Sequence, residues 1–207
     1  MVCFIVNVKN LFFMIKLHNY HISAILMVIC YLSSSVNFGL LIAKVFAPGK
    51  NLRTFGSGNV GATNVWRMMG IGWAIVVWIL DGLKTVVPML VAKLYFNCSS
   101  SIINAMAICG ILAHIFPIWN GFKGGKGFAT FSLSSIVINP IYFACICSMF
   151  AFARICKAPV FICSLAGAAA AVAWSVINDP SNLTYFALCF VILIFSHRSN
   201  IKQFINS

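Results

Sequence analysis

Acidic side chains are nearly absent from this chain. Aspartate and glutamate together number 2, at Asp81 and Asp179, against 14 lysines and arginines, and the formal net charge is +12. Charged residues of both signs make up 8% of the sequence, whereas a soluble domain carries about 25%. A water-exposed globular surface is excluded on that ground. Apolar residues take the place of charge: 62% of the chain is hydrophobic and the mean hydropathy is +1.01. The chain reads as an all-α, polytopic membrane protein. Its positive charge fits anionic partners, either membrane lipids or a phosphorylated substrate. Nucleic acid is a poor partner, because the basic residues are dispersed over short loops. The 9 cysteines fall mostly inside apolar runs, where Cys behaves as a small hydrophobe. Cys145 and Cys147 lack a histidine cluster, so neither a metal nor a cofactor is expected.

Residues 1–21 are apolar but interrupted by Lys9 and Lys16. They are too broken for a span of about 20 residues and read as an N-terminal extension, with no cleavage site of a signal peptide following. From residue 22 to 207 a single integral-membrane domain is expected. Spans are predicted over 22–46, 71–96, 101–119, 159–177 and 183–196. Two apolar segments, 128–138 and 141–153, are shorter than a straight crossing requires, which often marks a site. Together these give about seven transmembrane helices. Ser33, Ser34 and Ser35 lie inside the first span and are expected to face protein. Asp81 and Lys84 are three residues apart on one helix face and read as a buried structural ion pair. Threading the crossings puts Lys50, Arg53 and Arg67, then Lys123 and Lys126, then Arg154 and Lys157, then Arg198 and Lys202 on one face. The turns near 97–100, 139–140 and 178–182 carry no Lys or Arg. The positive-inside rule makes the basic face cytoplasmic and leaves the N-terminus outside, against which Lys9 and Lys16 argue mildly.

Three polar stretches converge on that face. The first is GFKGGKGFAT at 121–130. Glycines let backbone N–H groups approach a ligand, and successive N–H groups form an anion nest, so Gly124, Gly125, Lys126 and Gly127 read as a phosphate cradle opening a helix. It is not a nucleotide P-loop, because Gly127 follows Lys126 where Ser or Thr is needed. The plainer alternative is a loop whose lysines only set topology. The second stretch, GSGNVGATNVWR at 56–67, offers Ser57, Gly58, Asn59, Thr63 and Asn64 as hydrogen-bonding groups and Arg67 as a phosphate fork. Its plainer alternative is a polar loop with Thr63 or Asn64 capping a helix. The third, HRSN at 197–200, holds His197 and Asn200. His197 reads as a phosphate ligand ahead of a general base, since no carboxylate stands ready to orient it.

Taken together, in this order and spacing, the stretches resemble the bacterial membrane glycerol-3-phosphate acyltransferases that use acyl phosphate as donor. SGNVGATN with Arg67, GGKGFAT preceded by HIFPIWNGFK, and HRSNI carry the likeness. Smaller matches are FGLLIAK at 38–44, Asp81 with Lys84, and SLAG at 164–167, and the likeness covers about residues 27–202. It implies seven spans, a cytoplasmic-facing site in a bacterial inner membrane, and acyl transfer to the 1-hydroxyl of glycerol 3-phosphate, giving lysophosphatidic acid. It further implies that Ser57, Arg67, Lys126, His197 and Asn200 hold the phosphorylated substrates, with Ser164 a weaker candidate. No Ser–His–Asp triad is implied, and substrate phosphate itself helps remove the hydroxyl proton. The chain departs from the family pattern at Asn37, where a Pro is usual, and at Gln203, where an Arg is usual. A Gly-x-Glu usual after that point is not present before Ser207, and the third motif is expected to be less well supported for it.

Such a reaction suits these residues. Acyl phosphate is already activated, so the protein needs to hold two anions, aim a hydroxyl at a carbonyl and stabilise the departing phosphate. A transporter of an anionic metabolite is the alternative, but it would place its binding groups near the bilayer midplane, and these motifs lie at span ends.

Overall fold

Inside a bilayer no water is available to backbone groups, so an apolar chain must close its hydrogen bonds within helices. The computed structural model describes residues 21–206, and among these all regular structure is helical. The extension expected over 1–21 lies outside the described residues, apart from His21. Helices α1 (21–34) and α2 (Phe38–Phe46) form one apolar run, His21–Phe46, broken at residues 35–37. Asn37 caps α2, its side chain accepting the Leu40 N–H at 3.2 Å. A polar loop leads to α3 (Ala62–Met69), then α4 (Ile71–Leu94) and α5 (Ser100–Ile115). A single 3-10 turn, Ile118–Asn120, precedes the Gly-rich loop, and α6 (Phe128–Ile138) and α7 (Pro140–Ile155) follow it. The chain closes with α8 (Val160–Asn178), α9 (Leu183–Ser196) and α10 (Arg198–Ile205).

Four of these runs are long and apolar enough to cross a membrane, and Pro180–Ser196 and Arg198–Ile205, bent by 57°, reach that measure only if counted as one span. α6 has 11 residues, a length of about 16 Å, roughly half the hydrocarbon thickness. It survives because it is the central helix, enclosed by α4, α5 and α7. Its C-terminal end is closed by Lys93, whose Nζ donates to Val137 O at 2.5 Å. Lys93 stands in the last turn of α4, so the end of the bundle opposite the Gly-rich loops is not wholly free of cations. The turn from α8 to α9 is tied by Asp179, which accepts from Tyr142 Oη at 3.1 Å, Ser181 Oγ at 2.5 Å and Asn182 Nδ2 at 2.8 Å. The hydrogen bonds from Ser181 and Asn182 hold its carboxyl below the usual range.

Apolar residues occupy the outer faces of the bundle as well as its core. Ile75, Ile79, Val87 and Leu90 of α4 are exposed, while Asp81, Lys84 and Thr85 of the same helix are buried. Apolar side chains lose nothing by facing lipid, whereas polar ones need partners in the interior. Close approach comes from small residues. A Cβ on Gly82 would lie 2.5 Å from Leu133 Cβ, so the α4 backbone lies directly against the Leu133 side chain of α6. Gly110 of α5 meets Thr85 of α4 in the same way, and Gly167 brings α8 onto the backbone of α7 at Ile146. The expected ion pair is present, with Lys84 Nζ 2.8 Å from Asp81 Oδ1.

Replacing Gly82 by Ile is expected to push α6 away from α4 and destabilise the bundle by about 1–3 kcal/mol, the usual cost of overpacking. The check is thermal unfolding in detergent, and an unshifted midpoint would contradict the contact.

Candidate active site

The Gly-rich loop sits on the C-terminal end of α5. Gly124 N–H donates to Ile115 O at 3.0 Å and Gly125 N–H to His114 O at 3.1 Å. These amides cap the unpaired carbonyls at the end of that helix. They are therefore not free to form the anion nest expected of Gly124 and Gly125, which corrects the reason for the glycines. The reason is steric. A Cβ on Gly125 would overlap His114 Nε2, and one on Gly124 would overlap His114 O. Gly127 has φ 85° and N-caps α6 in a left-handed conformation that favours glycine. Anion-binding capacity remains at the start of α6, whose first-turn N–H groups lack intrahelical partners and carry the positive end of the helix dipole. Lys126 stands immediately before that turn.

Lys126 is met by the end of the chain. Its Nζ donates to Ser199 Oγ at 3.1 Å and, in a shorter bond, to Asn200 Oδ1. Ser196 Oγ donates to Lys126 O at 2.8 Å. Burial, with a smaller contribution from Arg198, lowers the Lys126 ammonium below the usual lysine range. Ser199 and Asn200 lie in the first turn of α10, turned by 57° from α9.

His197 occupies the joint between these two helices and is 4% exposed. Its Nδ1 lies 2.9 Å from Leu193 O. A carbonyl only accepts, so Nδ1 carries the proton and Nε2 keeps a lone pair. Burial pushes the imidazole down to about 4, with the Leu193 bond opposing and Lys126 adding to the shift. His197 is therefore neutral near pH 7 and offers an acceptor rather than a donor.

The loop before α3 is stapled by Asn64. Its Nδ2 donates to Leu52 O at 3.0 Å and Phe55 O at 2.9 Å, and its Oδ1 accepts Ser57 N–H at 3.2 Å. With every polar atom of its amide committed, Asn64 shapes the loop. It does not cap α3, whose N-cap is Gly61. Gly56 has φ 55° and packs on Asn64 Oδ1, near the Arg67 side chain. Gly58 has φ 68°, and its N–H donates to Phe55 O at 2.9 Å. Ser57 and Arg67 are exposed, while Asn59 and Thr63 are half-buried. Arg53 Nη2 donates to Lys123 O at 2.9 Å and so ties this loop to the Gly-rich one. Ser164 stands apart, its Oγ donating to Val160 O one turn back in α8. One turn earlier, Phe161 packs against Phe204 of α10, ring centroids 5.7 Å apart.

The structure thus brings Lys126 and Asn200 together directly, sets His197 beside Ser196, which holds the Lys126 carbonyl, and joins the two Gly-rich loops through Arg53. Sequence reasoning missed His114, Arg53, Ser196 and Ser199. His114 had a legible signal, a histidine ending an apolar run just before the glycines.

Comparison with known proteins places the chain among relatives of one kind. The family model described as glycerol-3-phosphate acyltransferase matches residues 24–207. The chain is 34% identical to the glycerol-3-phosphate acyltransferase of Aquifex aeolicus, over 86% of this chain and 93% of that one. It is 33% identical to that of Cereibacter sphaeroides, over 86% of this chain and 84% of that one. Among solved structures it is similar to PlsY (YgiH), an integral membrane glycerol 3-phosphate acyltransferase. The glycerol 3-phosphate form superimposes with a TM-score of 0.82 at 32% identity, covering 89% of this chain and 92% of that one. The lysophosphatidic acid form gives 0.80 at 31% identity, with the same coverage.

Gly125→Val is expected to unseat the loop from His114 and to cost about 1–3 kcal/mol of stability. Gly121→Ala, at a φ of 60° with open space around it, tests strain alone; it is expected to cost no more than about 1–2 kcal/mol. Equal thermal midpoints for Gly125→Val and wild type would contradict the seating described here.

Proposed function

Because the chain belongs to the glycerol-3-phosphate acyltransferase family, we propose that it transfers an acyl group from acyl phosphate to the 1-hydroxyl of glycerol 3-phosphate. The product is lysophosphatidic acid, as in the first acylation of phospholipid synthesis. The observation that carries this reading is Lys126, half-buried between the free end of α6 and the Ser199–Asn200 turn. A cation with hydrogen-bonding neighbours at a helix N-terminus suits a phosphate group.

In the reaction the hydroxyl oxygen attacks the acyl carbon, and the carbon–oxygen bond to phosphate breaks. Phosphate leaves with that electron pair. Lys126 and the first-turn N–H groups of α6 stabilise its developing charge. Ser57, Asn59, Thr63 and Arg67 hold the second phosphorylated substrate from the other loop, and Gly58 lets that loop turn. Asn200 exchanges its bond to Lys126 for one to substrate. His197, neutral with its lone pair at Nε2, accepts a hydrogen bond from the hydroxyl and aims it. An imidazole with a pKa of about 4 is a weak base, so the proton passes to a phosphate oxygen of the substrates. No covalent enzyme intermediate, metal or cofactor enters the scheme.

We also propose seven crossings, counting the short α6 and α7, in a bacterial inner membrane with the site facing the cytoplasm. Arg53, Arg67, Lys123, Lys126 and Arg198 all belong to the motif-bearing end, and the positive-inside rule orients that end inward. Lipid surrounds the exposed apolar faces and gives the acyl chain its route.

Purified protein given acyl phosphate and labelled glycerol 3-phosphate is expected to form lysophosphatidic acid. Lys126→Ala is expected to lose about 10²–10³-fold in kcat with the fold intact. His197→Gln, which keeps an acceptor, should retain a good share of turnover, while His197→Ala raises KM. Equal losses of kcat of about 10²–10⁴-fold in both, with KM unchanged, would make His197 the general base instead. Cysteines introduced at Asn59, Lys123 and Asn200 should react with an impermeant thiol reagent from the cytoplasmic side alone. Labelling from opposite sides would break both the orientation and the shared site.

A further inference from the structure

Beneath the Gly-rich loop lies a buried cluster that the acyl-transfer scheme does not use. Asp81 is 1% exposed, Lys84 8% and His114 3%. Lys84 Nζ donates to Asp81 Oδ1 at 2.8 Å, to Val36 O at 2.6 Å and to His114 Nδ1 at 2.9 Å. An ammonium has three protons and no lone pair, so these bonds use it fully and make Nδ1 of His114 an acceptor. The proton of the neutral imidazole then sits on Nε2, the edge turned toward Gly125. A Cβ on Gly125 would overlap Nε2 while standing 3.0 Å from both Cδ2 and Cε1, so the ring meets the loop edge-on. The backbone of the same histidine accepts Gly125 N–H at 3.1 Å. On the other side of Lys126, Thr130 Oγ1 donates to Asp81 O at 3.0 Å and anchors the first turn of α6 to α4. Both flanks of Lys126 therefore rest on members of one cluster.

We propose that Asp81, Lys84 and His114 form a positioning device for Lys126: Lys84 holds the His114 ring beneath Gly125, and that seat sets the height and direction of the loop carrying the phosphate-binding lysine. None of the three touches substrate. A structural ion pair needs only Asp81 and Lys84. The third bond of Lys84, to the imidazole, and the contact of that imidazole with the loop are what this role adds. The Val36 carbonyl enters because the helix is interrupted at residues 35–37, so the first span's break supplies one of the three acceptors.

The test uses full-length protein in lipid nanodiscs, read by hydrogen exchange of the amides in 121–131 and by kcat/KM for glycerol 3-phosphate. The kinetic measurement rests on the proposed activity; the exchange measurement does not. Asp81→Asn combined with Lys84→Met removes both charges together, which avoids stranding one of them. It is expected to speed exchange in 121–131 by at least about tenfold, with α8 unchanged, and to lower kcat/KM by a similar factor. His114→Gln places its amide near the Nε2 position and His114→Asn near the Nδ1 position. Gln, which keeps the seat under Gly125, should preserve both readouts better than Asn, which keeps only a partner for Lys84. Unchanged exchange in the charge-free double variant would overturn the proposal. So would equal exchange in the Gln and Asn variants, the deciding comparison should the double variant not fold. If exchange responds as expected while wild type transfers no acyl group, the acyltransferase reading fails and the seat stands.

Discussion

An ammonium group inside an apolar bundle sets the terms for everything above it. A lysine near the middle of a membrane helix costs several kcal/mol unless its charge is matched and its protons are used. Lys84 meets that requirement by drawing one acceptor from each of three places: Asp81 on its own helix, His114 at the end of α5, and Val36 at the break between α1 and α2. Ser33 Oγ donates back to Lys84 O at 3.0 Å, and Ser34 Oγ pairs with Thr85 Oγ1 at 2.6 Å. Ser33 and Ser34 of the first span and Asp81, Lys84 and Thr85 of α4 thus belong to one network. Its geometry is bonded, so the helices it joins have little freedom to slide. Such a network is a suitable floor for a site that must hold charged groups in fixed positions at a membrane surface.

What stands on that floor differs from a glycine nest. The amides of Gly124 and Gly125 close the end of α5, and the glycines are there because the loop lies against His114 with no room for a side chain. The elements proposed to bind an anion are the start of α6, Lys126 and the turn at Ser199 and Asn200. Asn200 gives Lys126 a neutral acceptor where the surroundings hold no carboxylate. Under the proposed function the near absence of carboxylates is an advantage: an Asp or Glu at this point would compete with substrate phosphate for the same lysine.

Much of this was legible in the sequence. Helix positions followed from apolar runs and from punctuation such as Asn139-Pro140, because in lipid a run of apolar residues has few alternatives to a helix. The Asp81–Lys84 pair followed from a spacing of three. Other features were not legible because they depend on which groups meet in space. The sequence shows that Gly125 is glycine, but not that His114 lies beneath it. Asn64 looks like a cap or a ligand until its amide is found bonded to Leu52, Phe55 and Ser57. HRSN reads as a polar stretch after the last span, and only the structure shows that it opens a short helix whose Ser199 and Asn200 meet Lys126 and whose Phe204 meets Phe161. The tautomer of His197, and with it the change from donor to acceptor, is set by one carbonyl four residues back.

The central claim is that substrate phosphate is held by Lys126 at the N-terminus of α6 and not by the amides of the glycines before it. A structure of this protein with glycerol 3-phosphate and a non-hydrolysable acyl phosphate analogue tests it most directly. The account requires a phosphate oxygen about 3 Å from Lys126 Nζ and from a first-turn N–H of α6, with Asn200 released from the lysine and the Gly124 and Gly125 amides still bonded to α5. Phosphate bound to those two amides, with Lys126 still on Asn200, would contradict it.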